Sequence, residues 1–381
     1  MPAHRERSSL REVLESRPNH FDAMRLVFSF AVVFGHSFVI AAGNSMEHPW
    51  GDATGDWIYR LTRGQLFSGT LGVDFFFLIS GYLVTRSWQR APGAGNYALR
   101  RALRIYPAFL VVVCVGAFLV GPWSIGPERY FQRFHLGAFV QSALLLQQPV
   151  MPKVFVHNPL PNEPNGSLWT IRYEATCYLM VALLGWLGAY RRPWVVLGLF
   201  LGSLALAFTQ ANFFPNMLSY TREIYPFGMP GMWPNLLCFF LAGMVLCLYA
   251  ERIPYDRRLA GLAVAALALA CFDGAELILP VFGAYLVFYL ALQPAPALDA
   301  LTRRGDLSYG VYLYAFLIQQ TWMQAFPQVF VHSPYRLFAA TVPPTLACAF
   351  LSWHGVEKRP LRWKRRRLER AEALQGAVRS A

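Results

Sequence analysis

Charge is scarce in this chain. Only 14% of its 381 residues are Asp, Glu, Lys or Arg, against a hydrophobic share of 55%. Soluble domains carry nearer a quarter of charged residues, so this balance excludes an ordinary water-soluble protein. Acid is scarcer than base, with 21 Asp+Glu against 34 Lys+Arg and a net charge of +13. That excess does not call for a nucleic acid partner, because the basic residues collect in short segments between long apolar runs, as topology signals do. The first 20 residues are polar and basic and lack the apolar core of a signal peptide. Ala41-Ala42 resembles a signal-peptidase site weakly, and cleavage there would discard the most informative residues of the chain. The six cysteines, Cys114, Cys177, Cys238, Cys247, Cys271 and Cys348, all fall in apolar runs. That placement suits neither an extracellular disulfide framework nor a zinc knuckle, and no metal site is expected. There is no internal repeat.

The apolar runs predict an all-α, polytopic helix bundle in a membrane. Hydropathy places ten spans at about 24–42, 70–88, 105–121, 168–189, 194–210, 234–250, 259–272, 276–292, 308–325 and 336–354. With both termini in the cytoplasm, the inner segments hold 25 Lys+Arg and the outer segments 7, with Arg25 and Arg172 inside spans. That bias is what an even number of spans requires. Spans seven and eight are the least secure, being short and divided only by Asp273-Gly274. The expected organisation is a cytoplasmic tail (1–23), one membrane domain (24–354) and a basic cytoplasmic tail (355–381). That last tail anchors topology and would lie on anionic lipid headgroups. The longest outer loop, about 122–167, is rich in Pro, Asn and aromatics, and its part 134–148 could be a helix lying on the membrane. It is either an acceptor surface or a mere connector.

Polar residues inside the runs carry the functional reading. Arg25 and His36 share the first span, and ionisable groups in a bilayer are functional candidates by default. Eleven residues are about three helical turns, so the two side chains lie within about 20° of one face and roughly 16 Å apart in height. His36, Asp74 and Glu174, from three spans, fall in one slab of the outer half. Arg25, Arg101 and Arg104 lie at the inner surface, the last two an i, i+3 pair. An inner arginine cluster can grip a phosphorylated donor. A deeper histidine can act as general base or as transient acyl carrier, with a carboxylate to orient it. The plain alternatives are headgroup-snorkelling arginines, a histidine that only packs, and carboxylates paired with Arg172.

At these residues the sequence resembles acyltransferase family 3, integral membrane proteins that modify sugars and other acceptors of the cell envelope. Phe21-Asp22-Ala-Met-Arg25 with His36 resembles the first-helix motif of that family. Gly72-Val-Asp74-Phe-Phe-Phe-Leu-Ile-Ser80-Gly81-Tyr82 resembles its second-helix motif, and Arg100-Arg101-Ala-Leu-Arg104-Ile-Tyr106-Pro107 its Arg-x-x-Arg segment. Ser167-Leu-Trp169-Thr-Ile-Arg-Tyr-Glu174 with Tyr178 is similar to its Ser-Leu-Trp…Glu…Tyr signature. Ser308-Tyr309-Gly-Val-Tyr312-Leu313 and Glu357-Lys-Arg-Pro360 match its C-terminal signatures. Six motifs in order cover the chain from Phe21 to about Trp363.

The resemblance implies a bacterial inner-membrane O-acyltransferase with no permanently bound cofactor and acyl-CoA, commonly acetyl-CoA, as co-substrate. It implies that His36 is essential, with Glu174 or Asp74 assisting it, and that Arg25, Arg101 and Arg104 handle the donor. Ser167, Trp169, Tyr178, Tyr309 and Tyr312 support the site. The acceptor expected is a glycan or lipid-linked sugar, such as lipopolysaccharide O-antigen or exopolysaccharide. Two departures stand out. Ala315 occupies the place of a histidine found in many members, whose role is absent here or falls to Gln319 or Gln320. Ala175 stands where many members have a second carboxylate. The rival readings are acylation of a macrolide-like molecule or a lipid, and a transporter without covalent chemistry.

Overall fold

The computed structural model describes residues 8–42, 53–213, 227–303 and 305–360. Among these residues the structure is helical throughout and has no strand, only an isolated bridge between Ser9 and Pro254. The helices used below are α1 (Leu10–Ser16), α2 (Phe21–Ala42), α3 (Ser68–Arg90), α4 (Ala94–Val115), α5 (Ile171–Trp186), α6 (Pro193–Phe213), α7 (Trp233–Leu248), α8 (Arg257–Ala270), α9 (Ala284–Ala291), α10 (Ser308–Ala325) and α11 (Pro334–Ser352). All ten apolar segments of the sequence are helical. Five stretches are also long and apolar enough to cross a membrane: Phe21–Ala42, Ser68–Arg90, Ala94–Ile125, Pro193–Phe213 and Pro230–Leu248. A sixth results if Ala275–Ala291 and Pro296–Thr302, bent by 87°, count as one. Length and hydropathy alone therefore support fewer crossings than ten. The reason is visible in α10, whose Tyr309, Tyr312, Gln319 and Gln320 are buried in the bundle and lower its hydropathy without meeting lipid.

Close backbone contact sets the central crossings. α7 lies against α3, α2 packs on α3, and α10 sits between α2 and α11. A Cβ on Gly81 would stand 2.0 Å from the carbonyl oxygen of Phe240, and one on Gly243 equally close to that of Leu78. Without a hydrophobic force between helices in lipid, such small residues let backbones approach and packing do the work. On the α2 side, a Cβ on Gly35 would meet the Gly69 nitrogen at 2.5 Å, and one on Gly72 the Phe28 carbonyl at 2.6 Å. Neither backbone can yield locally. Gly81→Ala or Gly243→Ala should therefore destabilise the bundle by roughly 1–3 kcal/mol or more. The check is a lowered thermal midpoint in detergent; an unchanged midpoint would show that the α3–α7 contact has slack.

The two ends of the bundle differ. At one end lie the starts of α2, α4 and α10 and the finishes of α3, α7 and α11, and here arginines gather. The short α1 is fastened across this end. Ser9 caps it reciprocally with Glu12, and Leu10 and Arg11 donate backbone bonds to Ile253 and Ala250 while Tyr255 donates to Ser8. The helix α4 starts at Ala94, not near residue 105, so Arg101 and Arg104 lie in its second and third turns. Hydropathy misses this start because the first turns of α4 are polar. At the other end, His332 donates to the Ala41 carbonyl and Gln65 to that of Ala270. The loop between α4 and α5 is ordered there. It contains a helix, Leu136–Leu144, whose Leu136, Val140 and Leu144 form an exposed apolar stripe at i, i+4, i+8. A helix of this kind suits a position in the membrane surface. Most of the basic C-terminal tail (361–381) lies outside the described residues.

Candidate active site

The arginine-rich end is built around an acid that the motifs did not single out. Arg25 Nη1 donates to Asp306 Oδ2 at 2.8 Å, and Arg104 donates to the same oxygen. Glu357 stands 3.5 Å from the other side of Arg104 and is itself held by the Ser352 hydroxyl at 3.0 Å. Arg104 also lies over the rings of Tyr309 and Trp353. Burial by itself would raise the Asp306 carboxyl, but Arg25 and Arg104, helped by bonds from Ser308, hold it well below the usual carboxylate range. Two of the three predicted donor arginines are thus brought together and neutralised by two carboxylates. Arg101 is set apart. It lies over Tyr178 at 5.5 Å and Tyr97 at 6.0 Å, and no carboxylate pairs with it among the described residues. Of the three, Arg101 carries the uncompensated positive charge.

Glu174 and Asp74 have separate partners. Glu174 accepts from the Ser80 hydroxyl at 3.1 Å and from Tyr178, which ties α5 to α3 at the Ser80-Gly81-Tyr82 motif. Asp74 is buried and accepts from the Asn235 amide of α7 at 2.7 Å. Arg172 lies over the ring of Tyr173. Neither carboxylate bonds the imidazole of His36 among the described residues.

His36 faces the bundle interior. Its ring meets Phe316 of α10 edge-on, with centroids 5.0 Å apart. The residue is half-buried, and its Nδ1 is buried without a hydrogen-bond partner. Gln319 of α10 reaches the same helix, donating to the Val33 carbonyl at 2.9 Å and the Ser37 hydroxyl at 2.7 Å. Gln320 turns the other way and fastens the loop between α4 and α5 through the carbonyls of Leu160 and Glu163 and through Asn158. The two glutamines weighed as substitutes for the missing histidine therefore divide: Gln319 braces the helix of His36, and Gln320 pins the loop.

That loop comes down onto Phe316. A Cβ on Gly166 would stand 2.7 Å from the Phe316 ring, so only glycine lets the loop sit this low. Tyr312 donates to the Ser167 carbonyl at 2.7 Å and shares a bond with Thr170, and Asn165 donates to the Leu313 carbonyl at 2.8 Å. Trp169 packs edge-on against Tyr173, and Tyr309 donates to the Ile105 carbonyl at 2.9 Å. Of the five supporting residues of the sequence reading, Tyr178 bonds Glu174, Tyr312 holds the Ser167 carbonyl, Tyr309 holds that of Ile105, and Trp169 packs on Tyr173. Contacts run continuously from one end to the other. Arg25 lies over Phe76, Phe76 meets Tyr312, Tyr312 holds Ser167, and Gly166 rests on Phe316 beside His36.

A buried basic cluster thus lies at one end, and a half-buried histidine sits beneath an ordered loop toward the other. The chain belongs to acyltransferase family 3: the family model described as an acyltransferase domain matches residues 19–354. It is 29% identical to nodulation protein 10 of Rhizobium leguminosarum bv. viciae, over 89% of this chain and 92% of that one. It is 26% identical to an O-acetyl transferase of Shigella phage Sf6, over 90% of this chain and 96% of the relative. It is also 27% identical to the exopolysaccharide production protein ExoZ of Rhizobium meliloti (strain 1021), over 73% and 85%. No solved structure matches the chain.

Proposed function

We propose that this chain is an O-acyltransferase of the bacterial inner membrane that moves an acyl group, most simply acetyl, from cytoplasmic acyl-CoA to a hydroxyl of a cell-envelope glycan. The observation that carries the reading is the arrangement of Arg25 and His36 on one helix, with the arginine in a basic cluster and the imidazole under the opposite loop. In this reading the helices make ten crossings, both termini are cytoplasmic, and the arginine-rich end faces the cytoplasm. Arg101, which has no carboxylate partner among the described residues, meets the phosphates of the donor. The pantetheine arm runs along Phe76 and Tyr312, and its thioester carbonyl arrives at His36. His36 takes the proton of the acceptor hydroxyl; the new oxygen–acyl bond forms as the carbon–sulfur bond breaks, and CoA leaves as the thiol. Transfer through an acyl-imidazole gives the same products. Asp74 or Glu174 would pair with the imidazolium once substrate displaces Asn235, or Ser80 and Tyr178, since catalytic bonds often tighten only in the substrate complex. The loop over Phe316 forms the acceptor side, and the relatives named for O-acetyl transfer and exopolysaccharide production support a glycan acceptor.

The test supplies membranes containing the chain with labelled acetyl-CoA and surface glycan from cells lacking its gene. Label in the glycan, with equal release of CoA, is expected. CoA release without labelled glycan would redirect the acceptor to a small molecule or lipid. No CoA release would overturn the enzyme reading in favour of transport.

A further inference from the structure

Three arginines at the arginine-rich end are left over from the site described above. Arg86 and Arg90 finish α3 and Arg100 lies in α4, and together they line a cleft of about 690 Å³ whose far wall is α1 through Leu14 and Glu15. An adjoining cavity of about 270 Å³ shares Arg86 and Arg90 and adds Cys247 and Glu251. The charges in these walls do not cancel. Glu15 and Glu251 are both held by Arg11, whereas Arg86, Arg90 and Arg100 pair with no carboxylate among the described residues. Arg86 donates to the Tyr82 hydroxyl at 2.9 Å, and Arg100 to the Ala91 carbonyl at 3.2 Å. The Arg100 Nε is buried with no partner. Arginines that serve only as topology anchors reach out to headgroups. These line an open cleft walled on one side by a helix that is itself fastened by backbone bonds.

We propose that this cleft binds the phosphorylated nucleotide end of the acyl-CoA donor, with Arg86, Arg90 and Arg100 joining Arg101 on its diphosphate and sugar phosphate. The proposal rests on the donor named under Proposed function and assigns the part of it that the deeper cluster leaves unheld. A nucleotide of this kind brings about four negative charges, and three forked guanidiniums supply the matching donors. Continuity with the deeper site supports it. Arg100 lines the cleft, and its neighbour Arg101 lies over Tyr178, which bonds Glu174. A donor gripped at its nucleotide end thereby enters with its pantetheine arm pointing into the bundle.

The test uses the full chain in nanodiscs of zwitterionic lipid and measures binding of CoA and of pantetheine, which lacks the nucleotide. In the double variant Arg86→Gln, Arg90→Gln the preference for CoA over pantetheine should fall at least ~10-fold, as loss of charge-assisted hydrogen bonds predicts. An unchanged preference overturns the assignment while leaving CoA as the donor. If the unaltered chain binds no CoA, the donor itself is wrong and the assignment goes with it. Anionic lipid is the other source of such phosphates. A stabilisation of the unaltered chain by anionic nanodiscs, lost in the variant and matched by no CoA effect, would give the cleft to a headgroup and overturn the proposal. A readout without substitution guards against a variant that does not fold. CoA should slow alkylation of Cys247, at the edge of the adjoining cavity, and pantetheine should not; equal rates with and without CoA count against the assignment.

Discussion

His36→Ala will lower acyl transfer by at least ~100-fold, the usual yield of a positioned general base, and to background if the imidazole carries the acyl group itself. Amount and stability of the protein will change little. The ring makes no hydrogen bond through Nδ1, and its main packing contact is the edge-on meeting with Phe316, worth about 1 kcal/mol. That separation makes the variant informative, because a collapse in activity cannot then be laid to a collapse in folding. The check is glycan acetylation in membranes normalised to the amount of protein. Activity within a few-fold of the unaltered chain would remove His36 from the chemistry. His36→Gln, which restores size and one polar atom but no basicity, should be as inactive as the alanine variant.

Asp306→Ala will unfold the arginine-rich end. The carboxylate takes a bond from Arg25 and another from Arg104, and the side chains are only 10%, 13% and 16% exposed. Removing it leaves two guanidiniums facing each other, with Glu357 at 3.5 Å and Asp22 at 4.0 Å as their remaining acids. Loss of one member of a buried ion pair costs roughly 3–5 kcal/mol. The check is the thermal midpoint in detergent, which should drop far more than for Glu357→Gln, whose contact with Arg104 is longer. Equal small drops would show that Asp306 is dispensable to the cluster. The same acid fixes a pH direction. Its carboxyl is held below the usual range in the folded protein, so its stabilising effect is complete above the ordinary carboxylate pKa. The effect fades progressively as pH falls below the ordinary value and is gone once pH has passed the lowered one.

The helices and the Arg25/His36 pair were legible because each rests on local pattern. A run of apolar residues declares a helix, and a fixed rise per residue places two side chains on its wall. Arg104 was legible for the same reason, but its company was not. Asp306 bonds Arg25 across 281 residues of sequence and Arg104 across 202, and periodicity carries no information over such distances. One signal did exist. Asp306 stands two residues before the Ser308-Tyr309 motif, and an acid at a basic helix end invites a search for its partner. The Asn235 amide on Asp74 was hidden likewise, since a polar residue near the start of an apolar helix has a ready reading as a border. Depth placed His36, Asp74 and Glu174 in one layer; side-chain direction then gave each carboxylate a different neighbour, and depth cannot foretell direction. Gly166 shows the reverse case, a residue quoted by no motif whose missing side chain decides how near the loop comes to Phe316.

The fastening of α1 has a consequence for how the protein is made. Leu10, Arg11 and Ser8 find their backbone partners at residues 250–255, so α1 cannot settle until that distant segment has been synthesised. Domains otherwise tend to assemble in the order of translation. Here α1 waits for residues 250–255, and the arginine-rich end of the bundle is a part that biosynthesis completes late.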